Sequence, residues 1–568
     1  MNLRYYIPVL VFLLLLPGCK KNNEKAPEGC INLSELETKH DYYLPFAVMN
    51  DTTVIRQAVL NGEDVDFSYG DYINFKENGF NELVLMYKDL QQKNDTFLFT
   101  TKTIEREYSE WGIRAWTPAS FRTVTLSSEN VEIVYPRRYA GLISVPFIFY
   151  VKEAGVTKAV YCQGSCPVAK ASFKVKRGVG SISVPVSEYT NPISFIVGGK
   201  KLSASLTAFS GSGTELKGAI STATVIPANS LVKITENLEI TSSGSLTVNE
   251  GAVLIISEGV DINVSGPIIF SGTAANPILV TSSKYDNYWG GFLTKVSTGT
   301  IEAHYTIFCR SGYHDTGDYA WGHAGRQALF YTKGSSLTLD HCYMVDHIGQ
   351  IFYPQEATLT LNDILVQRVK TGGQINTSVL TLENSVFTDI PDDSNVFADD
   401  DNDALYLNAT DADIENTVFM FAKDDGLDSG ADGGGTVNIT DCRFEACFHE
   451  GAALSSSGTV VKTHTFTECV FTNCGQGLEL GYSSPNHSVT ADNCLFQDNG
   501  IGIRYGDNYD WSEVYGHMLI KNSFSLDNDK DVWNMVRMTW SPRLDNLTFA
   551  NTQVSKYCTQ YPELPIKP

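Results

Sequence analysis

Positive charge is scarce in this chain. It has 42 lysines and arginines against 65 aspartates and glutamates, a net charge of −23. Nucleic-acid binding needs clustered basic side chains, so that partner class is excluded. The balance fits a secreted or cell-surface protein, or one that binds cations. Long apolar runs are also few. The stretch Ile7 to Leu16, close behind Arg4, is too short to span a bilayer and too near the start to belong to the fold. No other segment stays apolar for about 18 residues, so nothing else is expected to cross a membrane. At 568 residues the chain exceeds one ordinary domain, although a solenoid can run past about 300 residues because each repeat touches only its neighbours.

What is present begins with targeting. Leu16-Pro17-Gly18-Cys19 resembles a bacterial lipobox, with Pro17 an uncommon residue at its position. The resemblance implies a signal peptide over 1–19, lipid on the Cys19 thiol and a polar tether over 20–29. It also implies a monomer held at the bacterial outer membrane by its lipid alone, on the periplasmic or the surface face. Eleven of the 12 cysteines then remain. Cys162 and Cys166 are placed to close a small loop in an oxidising compartment. Cys442, Cys469 and Cys494 recur at coil spacing, as do Cys447 and Cys474. Such columns read as buried ladders rather than zinc sites, which need four converging ligands.

Two modules precede the repeats. Residues 30–107 alternate apolar and polar in short runs (Glu82 to Tyr87, Thr96 to Thr100) broken at Asn61-Gly62 and Asn78-Gly79, the pattern of a small antiparallel sandwich. Residues 108–211 repeat it, with strands near Val131–Val134, Val145–Val151, Ala171–Lys176 and Ile193–Val197. Neither carries a catalytic motif, and both are expected to act as spacers or to dock a partner. Trp111 and Trp116 read as core residues.

From residue 212 to 556 the sequence is periodic. Asn402 to Leu407 and Asp424 to Ser429 are near-copies of one phrase. It returns as His449 to Leu454, Gly475 to Leu480 and Gly500 to Tyr505. The steps lie in the twenties, the period of a β-solenoid. Together with phrases such as Leu337 to Cys342 and Leu380 to Ser385, these repeats resemble right-handed parallel β-helices, the scaffold of pectate lyases and polygalacturonases. The fold expected is therefore all-β, with about a dozen coils behind two sandwich modules. That scaffold hosts many activities, so it fixes no function.

Chemistry concentrates between Asp389 and Asp432, where 13 aspartates accompany one basic residue, Lys423. Strand alternation turns Leu405, Leu427, Ala452, Leu478 and Ile503 inward, and Tyr406, Asp428, Ala453, Glu479 and Arg504 outward. The glycine column Gly426, Gly451, Gly477 and Gly502 should leave a shallow furrow along the axis. Asp403, Asp425, Glu450 and Gln476 should stand in line one rung apart. Carboxylates about 5 Å apart repel by roughly 3 kcal/mol at an effective dielectric of about 20. Calcium, with carboxylate oxygens at about 2.4 Å, is the right size to sit between rungs. Asp and Asn also favour solenoid turns without any ion.

Asp403, Asp424, Asp425 and Asp428 resemble the calcium site of family 9 pectate lyases. That resemblance implies Ca2+ as cofactor, the four aspartates as its ligands and a lysine base, for which Lys423 and Lys462 are the candidates. Asp401-Asn402-Asp403 with Asp424-Asp425 also resembles the polygalacturonase layout. His449-Glu450-Gly451 matches its third element in part, and Arg504 lacks the lysine of its last. This second resemblance implies hydrolysis by Asp424, Asp425 and Glu450. His449 is a candidate acid or base. Glu479, Arg504 and the aromatics Trp321 and Trp511, on inserts over 310–326 and 505–517, are candidate sugar contacts. Three functions stay open: a calcium-dependent lyase acting on uronate-containing polysaccharide, a glycoside hydrolase, and a glycan-binding or scaffold lipoprotein.

Overall fold

The structure is a computed structural model. It describes residues 30–559 except 40, 44–45, 76–78, 88–93, 103–130, 142, 152–155, 163–168, 187–191, 198–199, 318–324, 395–400, 431, 507–513, 535–545 and 555–556. Cys19, Trp111, Trp116, Cys166, Trp321 and Trp511 thus lie outside the described residues.

The described residues form strands and one short 3-10 turn. In the first module a three-stranded sheet (Cys30–Asn32, Phe46–Met49, Tyr72–Phe75) and a five-stranded sheet enclose Val48, Leu83, Leu85 and Phe99. Phe75 meets Phe99 edge-on at 5.1 Å.

The second module is a seven-stranded antiparallel sheet with a two-stranded flank. Every residue of its strand Ser144–Val151 is buried. On one side Phe147 and Phe149 pack on Phe195 at 4.9 Å. On the other, Tyr150 meets Tyr343 of the solenoid at 6.4 Å. Lys176 pairs with Asp389, Arg177 with Glu445, and Ser183 with Asp346 across the same seam. The second module is therefore docked along the solenoid. This explains why solenoid strands such as Val253–Ile256 and Ile278–Ser282 are buried at every position. Covered on both faces, Val253–Ile256 reads as an unbroken apolar run.

The solenoid begins at Thr214. It is a right-handed parallel β-helix whose strands form a 26-stranded ladder and a 13-stranded ladder, three strands to a coil. One coil is Val418–Ala422, Leu427–Ser429 and Gly435–Thr440. Leu427, Ala452, Leu478 and Ile503 pair in register and are fully buried, as strand alternation demands. Beneath them Phe387, Phe419, Phe444, Phe471 and Phe496 stack at 5.2, 5.2, 4.7 and 4.9 Å, close to the rung spacing of about 4.8 Å. Cys442, Cys469 and Cys494 form the expected buried ladder of free thiols. Their thiols donate to the carbonyls of Ile414, Ile439 and Phe466.

The glycine column departs from expectation. A Cβ on Gly426 would meet the Gly451 carbonyl oxygen at 2.5 Å and Cys447 Sγ at 2.9 Å; one on Gly451 would meet Phe471 at 2.9 Å. The vacant side of these glycines faces the packed interior, so they carve no external furrow. They are small because the corner brings them against the core.

Candidate functional site

The repeated phrase turns the corner into the strands Leu427–Ser429, Glu450–Leu454, Gln476–Leu480 and Ile501–Tyr505. The corners stack through backbone bonds. Ala404 N–H donates to Asp425 O at 2.8 Å, Gly426 N–H to Glu450 O at 2.9 Å, and Gln476 N–H to His449 O at 2.7 Å. Side chains repeat the theme. Asp403 Oδ1 accepts from Asp425 N–H at 3.3 Å, and Asp425 Oδ1 accepts from Glu450 N–H at 2.8 Å. Asp403, Asp425 and Glu450 therefore stand in line, one per rung, and all three are buried. The outward column Tyr406, Asp428, Ala453, Glu479, Arg504 is also in register.

These columns open into a pocket of about 250 Å³ lined by Asp401, Asp403, Asp424, Asp425, Asp428, Glu450 and Glu479, with His449, Ser455 and Tyr482. Its charge is answered from within the chain. His449 Nδ1 lies 2.6 Å from Glu450 Oε2, 3.2 Å from Asp424 Oδ1 and 3.7 Å from Asp425 Oδ1. Burial pulls the His449 pKa down, but Asp424, Asp425 and Glu479 outweigh it and push it up to about 8. Arg504 Nη1 sits 2.9 Å from Glu479 Oε2 and 3.7 Å from Glu450 Oε1. Asp425 is raised well above the carboxylate range by burial first and then by Glu450, Asp403 and Asp428. Glu450 is raised by burial and then Glu479.

The predicted residues fare differently. Glu479 lines the pocket. Arg504 is only 6% exposed at its side chain and is bonded to Gln476 and Glu479, so it is not a free hand for a sugar. Neither candidate lysine lines the pocket. Lys423 Nζ is buried 4.9 Å over the Phe448 ring and 3.6 Å from Asp392. Lys462 is buried with its ammonium donating to the carbonyls of Ser429, Gly430 and Ser455. Burial lowers its pKa to about 8. Two side chains escaped the sequence reading. Tyr482 and Ser455 follow the strand ends, where alternation no longer says which way a side chain points.

The donor set for a metal also differs from the one expected. The groups whose ligand atoms converge within 4.8 Å are Asp424, Asp425 and His449, not four aspartates. Calcium prefers an all-oxygen shell, and an imidazole nitrogen holds the point where these carboxylates meet. In this geometry the four-aspartate calcium shell does not fit.

The fold and pocket define a right-handed parallel β-helix protein with an acidic, His-centred site on one flank. The family model of the right-handed beta helix region matches residues 374–524, the coils that carry that site. No curated protein matches the sequence. Among solved structures, a mutant of the periplasmic alginate epimerase AlgG is similar at 11% identity, with a TM-score of 0.30, over 58% of this chain and 78% of that one. A likeness that remote bears on no residue role.

Proposed function

We propose that the protein cleaves a polysaccharide at this pocket by general acid–base chemistry, and that the sugar at the cleavage point is neutral. The observation that carries the reading is one imidazole nitrogen holding Asp425 and Glu450 together, both buried and both pushed toward protonation. Glycoside hydrolysis requires one carboxyl as proton donor beside another as carboxylate, and burial favours the protonated form of both members of this pair. With both oxygens this close to His449 Nδ1, they are less than about 6.5 Å apart, too close for the water of an inverting enzyme.

Seven acids line the pocket, and each one that is ionised would repel a uronate carboxylate by about 1 kcal/mol or more. A neutral sugar avoids that repulsion. The calcium-dependent lyase is the second reading; the aspartates would have to close on the ion with His449 displaced, and a divalent ion there would offset part of the negative charge. Full-length protein incubated with neutral and uronate-containing glycans separates the readings, with Asp425→Ala as control. New reducing ends without ultraviolet absorbance support hydrolysis. Absorbance from an unsaturated uronate that needs calcium establishes the lyase instead. Binding without either product would make the protein a glycan binder or scaffold.

We also propose lipid attachment at Cys19 and residence at the outer membrane. Metabolic labelling with a fatty-acid analogue tests this: label must enter the wild-type chain and be lost in Cys19→Ser.

A further inference from the structure

Two strands from distant parts of the sequence meet at the end of the solenoid. Cys30–Asn32 belongs to the first module, where it pairs with Phe46–Met49. Tyr557–Thr559 is the last strand of the 26-stranded ladder, where it pairs with Lys530–Asn534. The two strands lie against each other, with Cα atoms within 8 Å across the gap. They belong to different sheets, so no shared ladder fastens one to the other. Each carries a cysteine, Cys30 on the one and Cys558 on the other. Cys558 is the middle residue of its strand, which keeps it near every residue of its three-residue neighbour.

The other cysteines have other places. Among the described residues, the seven free thiols from Cys309 to Cys494 are buried in the solenoid. Burial pushes Cys309 and Cys342 up to about 12, where no reactive thiolate forms near neutral pH. Cys162 and Cys166 are spaced to pair with each other, and Cys19 is assigned to lipid. Cys30 and Cys558 are the two that remain. A disulfide needs Cα atoms about 4.4–6.8 Å apart, a separation that adjacent strands supply. We propose that Cys30 and Cys558 form a disulfide that clasps the first module to the last coil of the solenoid. One thiolate attacks a disulfide oxidant, and the second attacks the mixed disulfide that results. The protein's two thiols give up two electrons and two protons, and the oxidant leaves as two thiols. The proposed envelope residence supplies the oxidising compartment that the bond requires. The last strand of the ladder would otherwise offer its free edge to another chain; the clasp keeps the first module over it. The clasp stands whether or not the pocket cleaves a glycan.

Trypsin places the two cysteines in separate peptides, 26–39 after Lys25 and 557–568 after Lys556. Full-length protein is equilibrated with glutathione disulfide, blocked with N-ethylmaleimide under denaturing conditions and digested. Mass spectrometry should find the two peptides joined as one species, which reduction splits into both. Cys558→Ser should lose that species and leave Cys30 open to maleimide or glutathione, and Cys30→Ser should do the same for Cys558. The two single variants and the double variant should share one lowered melting temperature, because each removes the same bond. Maleimide or glutathione on both cysteines of the wild type overturns the proposal, as does Cys30 joined to any other cysteine. Additive losses of melting temperature in the double variant also overturn it.

Discussion

Replacing Asp425 by asparagine should stabilise this protein. Asp425 is buried, and its carboxyl lies among Glu450, Asp403 and Asp428. At about 5–6 Å and an effective dielectric near 20, each ionised neighbour repels it by about 3 kcal/mol. The opposing attraction to His449 Nδ1 at 3.7 Å is to a half-exposed ring, so solvent screening holds it to about 1 kcal/mol or less. The one structural bond Asp425 makes to the next rung, accepting Glu450 N–H at 2.8 Å, survives in asparagine, whose carbonyl oxygen accepts equally well. Because the folded-state pKa is raised, the native protein must bind a proton that the unfolded chain releases above about pH 4. Folding stability at this residue is therefore complete below that value and lost as pH rises, by up to about 1.4 kcal/mol per unit.

Counting one ionised neighbour and allowing for the lost His449 contact, Asp425→Asn should gain at least about 2 kcal/mol near pH 7.5 and nothing near pH 4. Urea midpoints of the full chain at those two pH values, in chelator and in millimolar calcium, measure the difference. A loss above about 1 kcal/mol in chelator near pH 7.5 would show that the carboxylate serves the fold, and the acidic pocket would lose its standing as a site. Stabilisation in chelator but destabilisation in calcium would place a cation among these carboxylates after all.

His449→Gln should cost stability in the other direction. The His449 pKa of about 8 means that its stabilisation is full below about pH 6.5 and disappears as pH rises through 8, and half-exposure limits it to about 1 kcal/mol; denaturation in chelator between those pH values checks it. His464 and His487 are buried with His464 Nδ1 bonded to His487 Nε2 at 3.0 Å, flanked by Ser429 and Ser456. Burial, aided by Lys462, lowers both, His487 to about 3, so stability should fall below pH 6.5 by about 1.4 kcal/mol per unit for each ring, and His487→Asn should flatten that slope. Asp389→Ala strands the buried Lys176 ammonium and the Gln367 amide, a loss of about 3–5 kcal/mol that Lys176→Met in the same chain should largely restore; additive losses in a double-mutant cycle would contradict the seam.

Much of the solenoid was legible because its sequence period is its structural period. Leu427, Ala452, Leu478 and Ile503 were expected inward in one column, and they pair in register. The file of Asp403, Asp425 and Glu450 was legible for the same reason. The direction of Lys462 was also readable: Phe466 is core, so period two turns His464 and Lys462 inward with it. What the sequence could not say is which residues sit at a corner, where alternation lapses. That is why the glycine column was expected to open outward, and why the His449 ring was not foreseen as a counter-charge. The docking of the second module was hidden by a different ambiguity. An apolar run such as Val253–Ile256 reads alike whether its second face meets another coil or another module.

The arrangement of the floor explains why the repulsion in the pocket is not simply relaxed away. Carboxylates that repel would normally part, but here each is tied to the backbone of the next rung. The rungs are in turn clamped by ring stacks, Phe444 on Phe471 at 4.7 Å and Phe471 on Phe496 at 4.9 Å. With spacing fixed near the strand separation of about 4.8 Å, the strain has one outlet, which is to hold protons. In a solenoid each coil is stabilised mainly by its two neighbours, so a local penalty of a few kcal/mol is absorbed without unfolding the rest. The scaffold thus converts an unfavourable spacing of acids into a raised proton affinity at Asp425 and Glu450, the direction in which acid–base cleavage of a glycosidic bond needs its proton donor shifted.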